Sequence, residues 1–134
     1  MIMNRYFVAI DPGKEKTGIA IFLDEKVIKH IIIASDDLVI ILDKIITKYN
    51  VNLIIMGNGT SSKTKYELLK QKFVQLEIII VNEYRTTDEA RKLYFKMNPP
   101  KGLRRLIPLG MQVPPVPVDD YAAIVIGKKY LQEK

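Results

Sequence analysis

The order of hydrophobic and polar positions predicts three strands at the start of the chain. Apolar runs cover 6–10, 17–23 and 26–34, and short polar turns separate them. Runs of this length that are rich in β-branched and aromatic residues are typical of strands. Asp11-Pro12-Gly13 closes the first run, and Asp24-Glu25 between the second and third suits a hairpin. We therefore expect an antiparallel three-stranded meander.

Helices and strands alternate in the rest of the chain. Apolar residues recur at the spacing of one helix face over 38–49, and Ser35 offers an N-cap for that helix. The remaining predicted elements are strands over 51–56 and 76–81 and helices over 62–74, 87–96 and 119–131, with a proline-rich loop over 99–117. The order β-β-β-α-β-α-β-α-α predicts an α/β fold, with a mixed five-stranded sheet flanked by helices. We expect one domain over residues 1–134.

Composition narrows the function classes. Nearly half of the residues (48%) are hydrophobic, enough for a packed core, and the absence of cysteine excludes disulfides, zinc-thiolate sites and cysteine nucleophiles. The formal net charge is +6, which favours an acidic partner such as nucleic acid. The N-terminus has no signal-peptide pattern, and no apolar run reaches membrane-spanning length. We therefore expect a cytoplasmic protein that binds no membrane.

Three acidic residues stand where folding could gather them. Asp11 ends the first strand, Glu83 follows the fifth, and Asp119 opens the last helix. Sites in open α/β sheets form beyond the carboxyl ends of strands, provided that the first and fifth strands are near each other. Carboxylates facing one cleft repel and need hard cations such as Mg²⁺ or Mn²⁺. Two such ions, ~3.5–4 Å apart, can activate water and stabilise the leaving oxygen of a phosphodiester.

Each acid also has an ordinary structural explanation. Asp11-Pro12-Gly13 is a common turn sequence, and Glu83 could be a solvated loop residue. Asp119 and Asp120 could simply favour the dipole at a helix N-terminus. The joint pattern favours a metal site over three separate coincidences. His30, the only histidine, lies mid-strand, and we predict no catalytic role for it.

Basic and polar residues near the expected cleft are candidates for contact with nucleic acid. Turn, capping or solvated-surface roles are the alternatives for all of them. The predicted contacts are Lys14, Lys16, Thr60, Arg85, Lys101, Arg104 and Arg105.

Four motifs together suggest a family. They are the segments over 9–20 (Asp11-Pro12-Gly13 with Thr17-Gly18), 56–60, 82–90 and 118–123. In this order they resemble the YqgF (RuvX-like) family of RuvC-type, RNase H-like nucleases, over nearly the whole chain. The motif Gly57-Asn58-Gly59-Thr60 is shorter than the usual version, and the proline-rich segment 99–117 is less typical of the family.

The resemblance implies an RNase H-like fold and magnesium-dependent phosphodiester hydrolysis. The family's metal-binding aspartate, glutamate and C-terminal helix aspartate fall on Asp11, Glu83 and Asp119, with Asp120 as a neighbouring ligand. Asp11 would bridge two Mg²⁺ or Mn²⁺ ions, and Glu83 and Asp119 would each hold one. The family has been proposed to mature the 16S ribosomal RNA precursor and to resolve Holliday junctions.

Three rival functions stay open at this point. Precursor ribosomal RNA is the first substrate expected, and branched DNA is the second, for which a homodimer rather than a monomer would supply two sites. A nucleic-acid-binding module that has lost catalysis is a rival of another class. One half of an actin-like ATPase is a third, but such folds need a second phosphate motif for which the chain has little room.

Overall fold

The protein is described from a computed structural model that covers residues 5–59, 61–84, 86–108 and 112–133. The strands are β1 (Tyr6–Asp11), β2 (Lys16–Leu23), β3 (Lys26–Ala34), β4 (Leu53–Gly57) and β5 (Glu77–Val81). The helices are α1 (Leu38–Tyr49), α2 (Ser62–Lys72), α3 (Thr86–Met97) and α4 (Asp119–Glu133). Two 3₁₀ turns occupy Ser35–Asp37 and Gly102–Leu106, the second inside the segment predicted as a loop.

The five strands form one mixed sheet in the order β3-β2-β1-β4-β5. The pairs β1–β2 and β2–β3 are antiparallel, whereas β4 joins β1, and β5 joins β4, in parallel. The predicted element order and the α/β class are therefore confirmed. Because β1, β4 and β5 run in the same direction, their carboxyl ends lie on one edge of the sheet.

Strand periodicity divides the core between the two faces of the sheet. In β1, Val8 and Ile10 belong to the core layer under α1 and α2, whereas Phe7 and Ala9 belong to the layer under α4. This follows from the alternation of side chains along a strand. All four of these side chains are 5% exposed or less, so β1 is buried on both faces.

Helix α4 packs closely on the second face. A Cβ atom added to Gly127 would lie 2.5 Å from Cζ of Phe22, so only glycine permits this approach between helix and sheet. On its other side, α4 packs Ala122 and Val125 against Ala90 of α3. The helix is thus enclosed by the sheet and α3. None of the helices in the described ranges has both the length and the apolar character needed to cross a lipid bilayer.

Ser35 does not cap α1, contrary to the prediction. Residue Asp37 occupies the N-cap position and makes no capping hydrogen bond through its side chain. The Ser35 hydroxyl instead donates to the Gly13 carbonyl at 2.8 Å, and the Thr17 hydroxyl lies 2.8 Å from Ser35 Oγ. A hydroxyl has one proton, so Thr17 donates to Ser35, and the chain of bonds fixes the turn after β1.

We expect Ser35→Ala to lower the free energy of unfolding by about 1–3 kcal/mol, because Gly13 O and buried Thr17 Oγ1 would both lose a partner. Urea denaturation measures the difference. The exposed neighbour variant Asp36→Ala is the control and should change stability by less than about 0.5 kcal/mol. Equal effects of the two changes would contradict a structural role for the Ser35 hydroxyl.

Candidate active site

The carboxyl ends of the parallel strands bring three chain segments to the face that α4 covers. Asp11 has the same parity along β1 as Phe7 and Ala9, which belong to the core layer under α4. Gly57 has the same parity along β4 as Ile55, a member of that layer. Glu83 lies two residues beyond Val81, which pairs with Gly57 in the sheet.

Strands β1 and β5 are not neighbours in the sheet. Asp11 and Glu83 can therefore meet only if the Glu83 side chain reaches across the strand between them. Strand β4 lies between them. Glu83 crosses it where β4 ends in glycine: a Cβ atom on Gly57 would lie 2.6 Å from Glu83 Cγ and 2.7 Å from its Cδ. A Cβ atom on Gly59 would lie 2.7 Å from Glu83 Oε2. The glutamate side chain therefore occupies the space that two missing side chains leave free.

The backbone N–H group of Glu83 is also held in place. Its N–H donates to Asn58 Oδ1 at 2.9 Å, so the residue between the two glycines holds the residue that crosses over them. The motif Gly57-Asn58-Gly59 was visible in the sequence, but its function as a seat for Glu83 was not predicted. Only the strand order reveals it, because the sequence does not say which strand separates β1 from β5.

The Asp11 and Glu83 carboxyl groups meet on the far side of this seat. Burial, a hydrogen bond to the Glu83 side chain and the negative charges of Glu83 and Asp119 raise the pKa of Asp11 to about 8. The hydrogen bond needs one shared proton, since two carboxylates contain only acceptors. Glu83 Oε1 is buried and has no hydrogen-bond partner among the described residues. The pair is therefore short of positive charge.

Asp119 approaches the pair from α4. Gly18 is the direct cross-strand partner of Asp11, and the Asp119 carbonyl rests where a Gly18 side chain would be. The same added Cβ atom would lie 2.8 Å from the Asp120 nitrogen. Burial and the charge of Asp120 raise the pKa of Asp119, whereas the charge of Lys16 lowers it. The start of α4 is thus held directly over the strand that neighbours Asp11.

Asp120 faces a different partner. Its Oδ2 lies 2.7 Å from His30 Nδ1, and its Oδ1 accepts the Tyr121 N–H at 3.0 Å. The His30 ring also packs against the Tyr121 ring, with 5.1 Å between centroids. Oδ2 therefore connects α4 to β3, whereas Oδ1 makes a local bond within the first turn of α4. Sequence reasoning gave His30 no role, and a contact across 90 residues leaves no local signal.

The donor set fits a hard divalent cation. All three groups are carboxylates, the preferred ligands of Mg²⁺ and Mn²⁺, and a cation would relieve both the raised Asp11 pKa and the unpartnered Glu83 oxygen. No three acidic or histidine side chains in the described ranges stand close enough to enclose an ion as they are placed. Asp11 and Glu83 form the pair, and Asp119 supplies a further carboxylate whose charge acts on Asp11.

The predicted nucleic-acid contacts divide by position. Lys16 is exposed and close enough to Asp119 to influence its pKa, and Lys14 is exposed on the preceding turn. Thr60 and Arg85 lie outside the described residues.

The other three predicted contacts lie on the connection between α3 and α4. Lys101, Arg104 and Arg105 are all exposed. Their segment ends at Asp119, so the cationic connection leads directly into the helix that carries the third carboxylate.

Solved structures of known proteins share this architecture. The Fowlpox virus resolvase, solved with its substrate Holliday junction DNA, matches with a TM-score of 0.61 and 13% identity, over 96% of this chain and 97% of that one. RuvC of Thermus thermophilus matches with a TM-score of 0.58 and 9% identity, over 94% and 92%. Its complex with a Holliday junction substrate gives 0.59 and 10%, over 95% and 92%.

The fold is RNase H-like. The matches cover nearly the full length of both compared chains, and the mixed sheet with helices on both faces agrees with them. At 9–13% identity they establish the RNase H-like fold alone. No family model matches the sequence, and no curated protein is significantly similar to it.

Proposed function

We propose that the protein is a metal-dependent endonuclease that hydrolyses phosphodiester bonds in structured nucleic acid. The observation that carries the proposal is the Asp11–Glu83 carboxyl pair, half-buried at the carboxyl ends of the parallel strands and short of positive charge. Placing two carboxyl groups together where they are partly removed from water is unfavourable unless they bind a ligand or share a proton. Strongly perturbed pKa values at such an edge are typical of functional sites.

Each carboxylate has a proposed task. Asp11, Glu83 and Asp119 would hold one or two Mg²⁺ or Mn²⁺ ions, which when bound supply Lewis acidity and lower the pKa of a coordinated water. The charges of both other acids act on Asp11, so we assign it the shared position between them. Asp119, at the start of α4, would position the attacking water. Lys16 beside it would contact a substrate phosphate.

Two substrates are proposed, in order of support. Branched DNA comes first, because two of the proteins that share the fold were solved with Holliday junctions. The precursor of 16S ribosomal RNA comes second, on the motif resemblance to the YqgF family. Symmetric cleavage of a junction needs two active sites, so a homodimer favours the first substrate and a strict monomer favours the second.

We expect the purified protein to cleave a four-way DNA junction or the ribosomal RNA precursor in the presence of Mn²⁺, and to stop in excess chelator. Asp119→Asn should lower the cleavage rate by at least about 100-fold, since even outer-shell changes at metal sites cost 10–100-fold. Asp43→Asn, an exposed change on α1, is the matched control and should cleave normally. Cleavage that continues unchanged in chelator would refute the metal-dependent site.

A binding module without catalysis is the alternative from another class. It predicts that the parent never cuts with any divalent metal, although it binds the junction as tightly as Asp119→Asn does. Gel-shift and cleavage assays on the same two proteins therefore separate the two functions.

A further inference from the structure

The connection between α3 and α4, which we call the basic arm (residues 98–118), begins and ends beside the first turn of α4. At its start, Asn98 Nδ2 donates to the Tyr121 hydroxyl at 3.1 Å. At its end, Val118 leads into Asp119, and the Ala122 N–H donates to the Val118 carbonyl at 2.9 Å. The basic arm is therefore attached to the helix turn that carries the third carboxylate.

The basic arm and the part of α3 that precedes it, residues 90–118, carry charge of one sign only. Residues 90–118 contain six Lys and Arg and no Asp or Glu. Within the described ranges, the single contact at ion-pair distance joins His30 to Asp120, so the described Lys and Arg residues of this segment have no carboxylate partner at that distance. A run of unpaired cations fits a polyanion such as the phosphate backbone.

The 3₁₀ turn of the basic arm sorts its side chains. With three residues per turn, side chains at positions i and i+3 eclipse each other. Leu103 and Leu106 therefore lie on one side of the turn, and Arg104 and Arg105 lie on the other two. The leucines are 83% and 80% exposed, the two highest values among the exposed large hydrophobic residues described. They form an apolar tip flanked by guanidinium groups.

The tip is held in shape and not merely frayed. Gln112 is 7% exposed, and its Nε2 donates to the carbonyls of Arg104 and Ile107, both at 2.8 Å. Arg105 Nε donates to the Gly102 carbonyl at 3.3 Å, and Gly102 has φ of 63°, the left-handed region that glycine adopts readily. Burial of one glutamine thus organises a turn whose leucines face solvent.

A recess lies next to the tip. It has a volume of about 530 Å³ and is open to solvent, and its walls are apolar except for one guanidinium group. Its lining residues are Pro99, Pro100, Arg105, Leu106, Ile107 and Pro108. Apolar side chains together with one guanidinium group suit an unstacked base and its phosphate.

We propose that the basic arm recognises the point in a nucleic acid where base stacking is interrupted, such as a branch, with Leu103 and Leu106 packing on exposed bases while Arg104 and Arg105 contact the flanking phosphates. The proposal rests on the nuclease function above. A continuous duplex offers phosphates to the arginines, but its base faces are stacked, so the leucines could reach them only after an unfavourable unstacking step. The basic arm would therefore favour branched over continuous nucleic acid.

Binding measured in chelator tests this without cleavage. The probes are a labelled four-way DNA junction and a continuous duplex of equal length. We expect Leu103→Ser with Leu106→Ser to weaken junction binding about tenfold and duplex binding less than twofold. Arg104→Gln with Arg105→Gln should weaken both, and reduce the slope of log affinity against log salt by about 2. Val74→Ser, which changes another exposed residue (76%), is the control and should alter neither.

Two further readouts are the fluorescence of a base analogue at the branch and binding to lipid vesicles. The fluorescence of 2-aminopurine at the branch should rise with the parent and not with the leucine variant. The inference is overturned if the leucine variant keeps its junction preference, or loses affinity equally for both probes. It is also overturned if the leucines are needed only for binding anionic phosphatidylglycerol vesicles. A parent that prefers junctions but never cuts refutes the nuclease proposal alone, whereas a cutting leucine variant with unchanged preference refutes this one alone.

Discussion

Asp11→Asn should abolish metal-dependent cleavage and, in the absence of metal, make the protein more stable at pH 8. Cleavage should fall by at least about a thousandfold, because transition-state stabilisation by a metal is worth several kcal/mol and each 1.36 kcal/mol is tenfold in rate. The gain in stability also comes from removing the Asp11 carboxylate. Asp11 is half-buried beside Glu83 and also feels the charge of Asp119, so its own charge is unfavourable in the folded state. An amide of the same shape removes the charge and can donate to Glu83.

The pH dependence follows from the direction of the shift. Folding raises the pKa of Asp11 from 3.8 to about 8. Between these values the unfolded chain has released the proton while the folded chain keeps it, so stability falls as pH rises. The contribution of protonated Asp11 to the free energy of unfolding is complete below pH 4 and is lost as the pH rises through about 8. The asparagine variant lacks this dependence, so its advantage over the parent should grow from pH 4 to pH 8.

Thermal unfolding in chelator at several pH values measures the difference. Each kcal/mol should move Tm by roughly 2–8 °C in a domain of this size. Adding Mn²⁺ should then reverse the order, since a ligand that binds only the folded state stabilises it. The parent should gain Tm with metal and Asp11→Asn should not. Asp43→Asn, exposed on α1, should follow the parent in every condition. A parent with no response to metal would contradict the site.

The sheet and its helices could be predicted because their signals are local. The apolar spacing over 38–49 marks one helix face, and the helix is found at Leu38–Tyr49. The β-branched runs at the start of the chain gave the meander for the same reason. The prediction for Ser35 was wrong because a hydroxyl can satisfy a distant carbonyl as well as a helix end, and the bond to Gly13 depends on the position of β1.

The candidate site was predictable in its chemistry and not in its assembly. Asp11, Glu83 and Asp119 stand at element ends, which the sequence reveals. What holds them together is non-local: Glu83 crosses β4 over Gly57, and Asp119 rests on Gly18. A glycine in a motif signals close approach, but not what approaches.

Gly57→Ala should therefore lower the cleavage rate strongly, although it adds only one methyl group. The added methyl would overlap Glu83 Oε1 and lie 2.6 Å from Cγ, distances that no side chain tolerates. Glu83 must then leave the Asp11 carboxyl group or push β4 aside. A displacement of about 1 Å in an active site can cost 10²-fold, so we expect at least that loss in rate. The added methyl of Gly59→Ala would lie 2.7 Å from Oε2, 3.2 Å from Oε1 and 3.3 Å from Cδ of Glu83, so this variant is less crowded and should lose less activity.

The control must separate a damaged site from a damaged fold, and Gly127→Ala does so. Its methyl would overlap the Phe22 ring at the same interface between α4 and the sheet, eight residues along the helix from Asp119 and so about 12 Å away. We expect it to lower Tm while cleavage per folded molecule stays near that of the parent. Gly57→Ala should do the opposite: relief of the crowded carboxyl pair offsets part of the packing cost, so rate falls more than stability. Equal rates in the two variants would mean that Gly57 is only a packing residue, and that Glu83 reaches its working position without the space above β4.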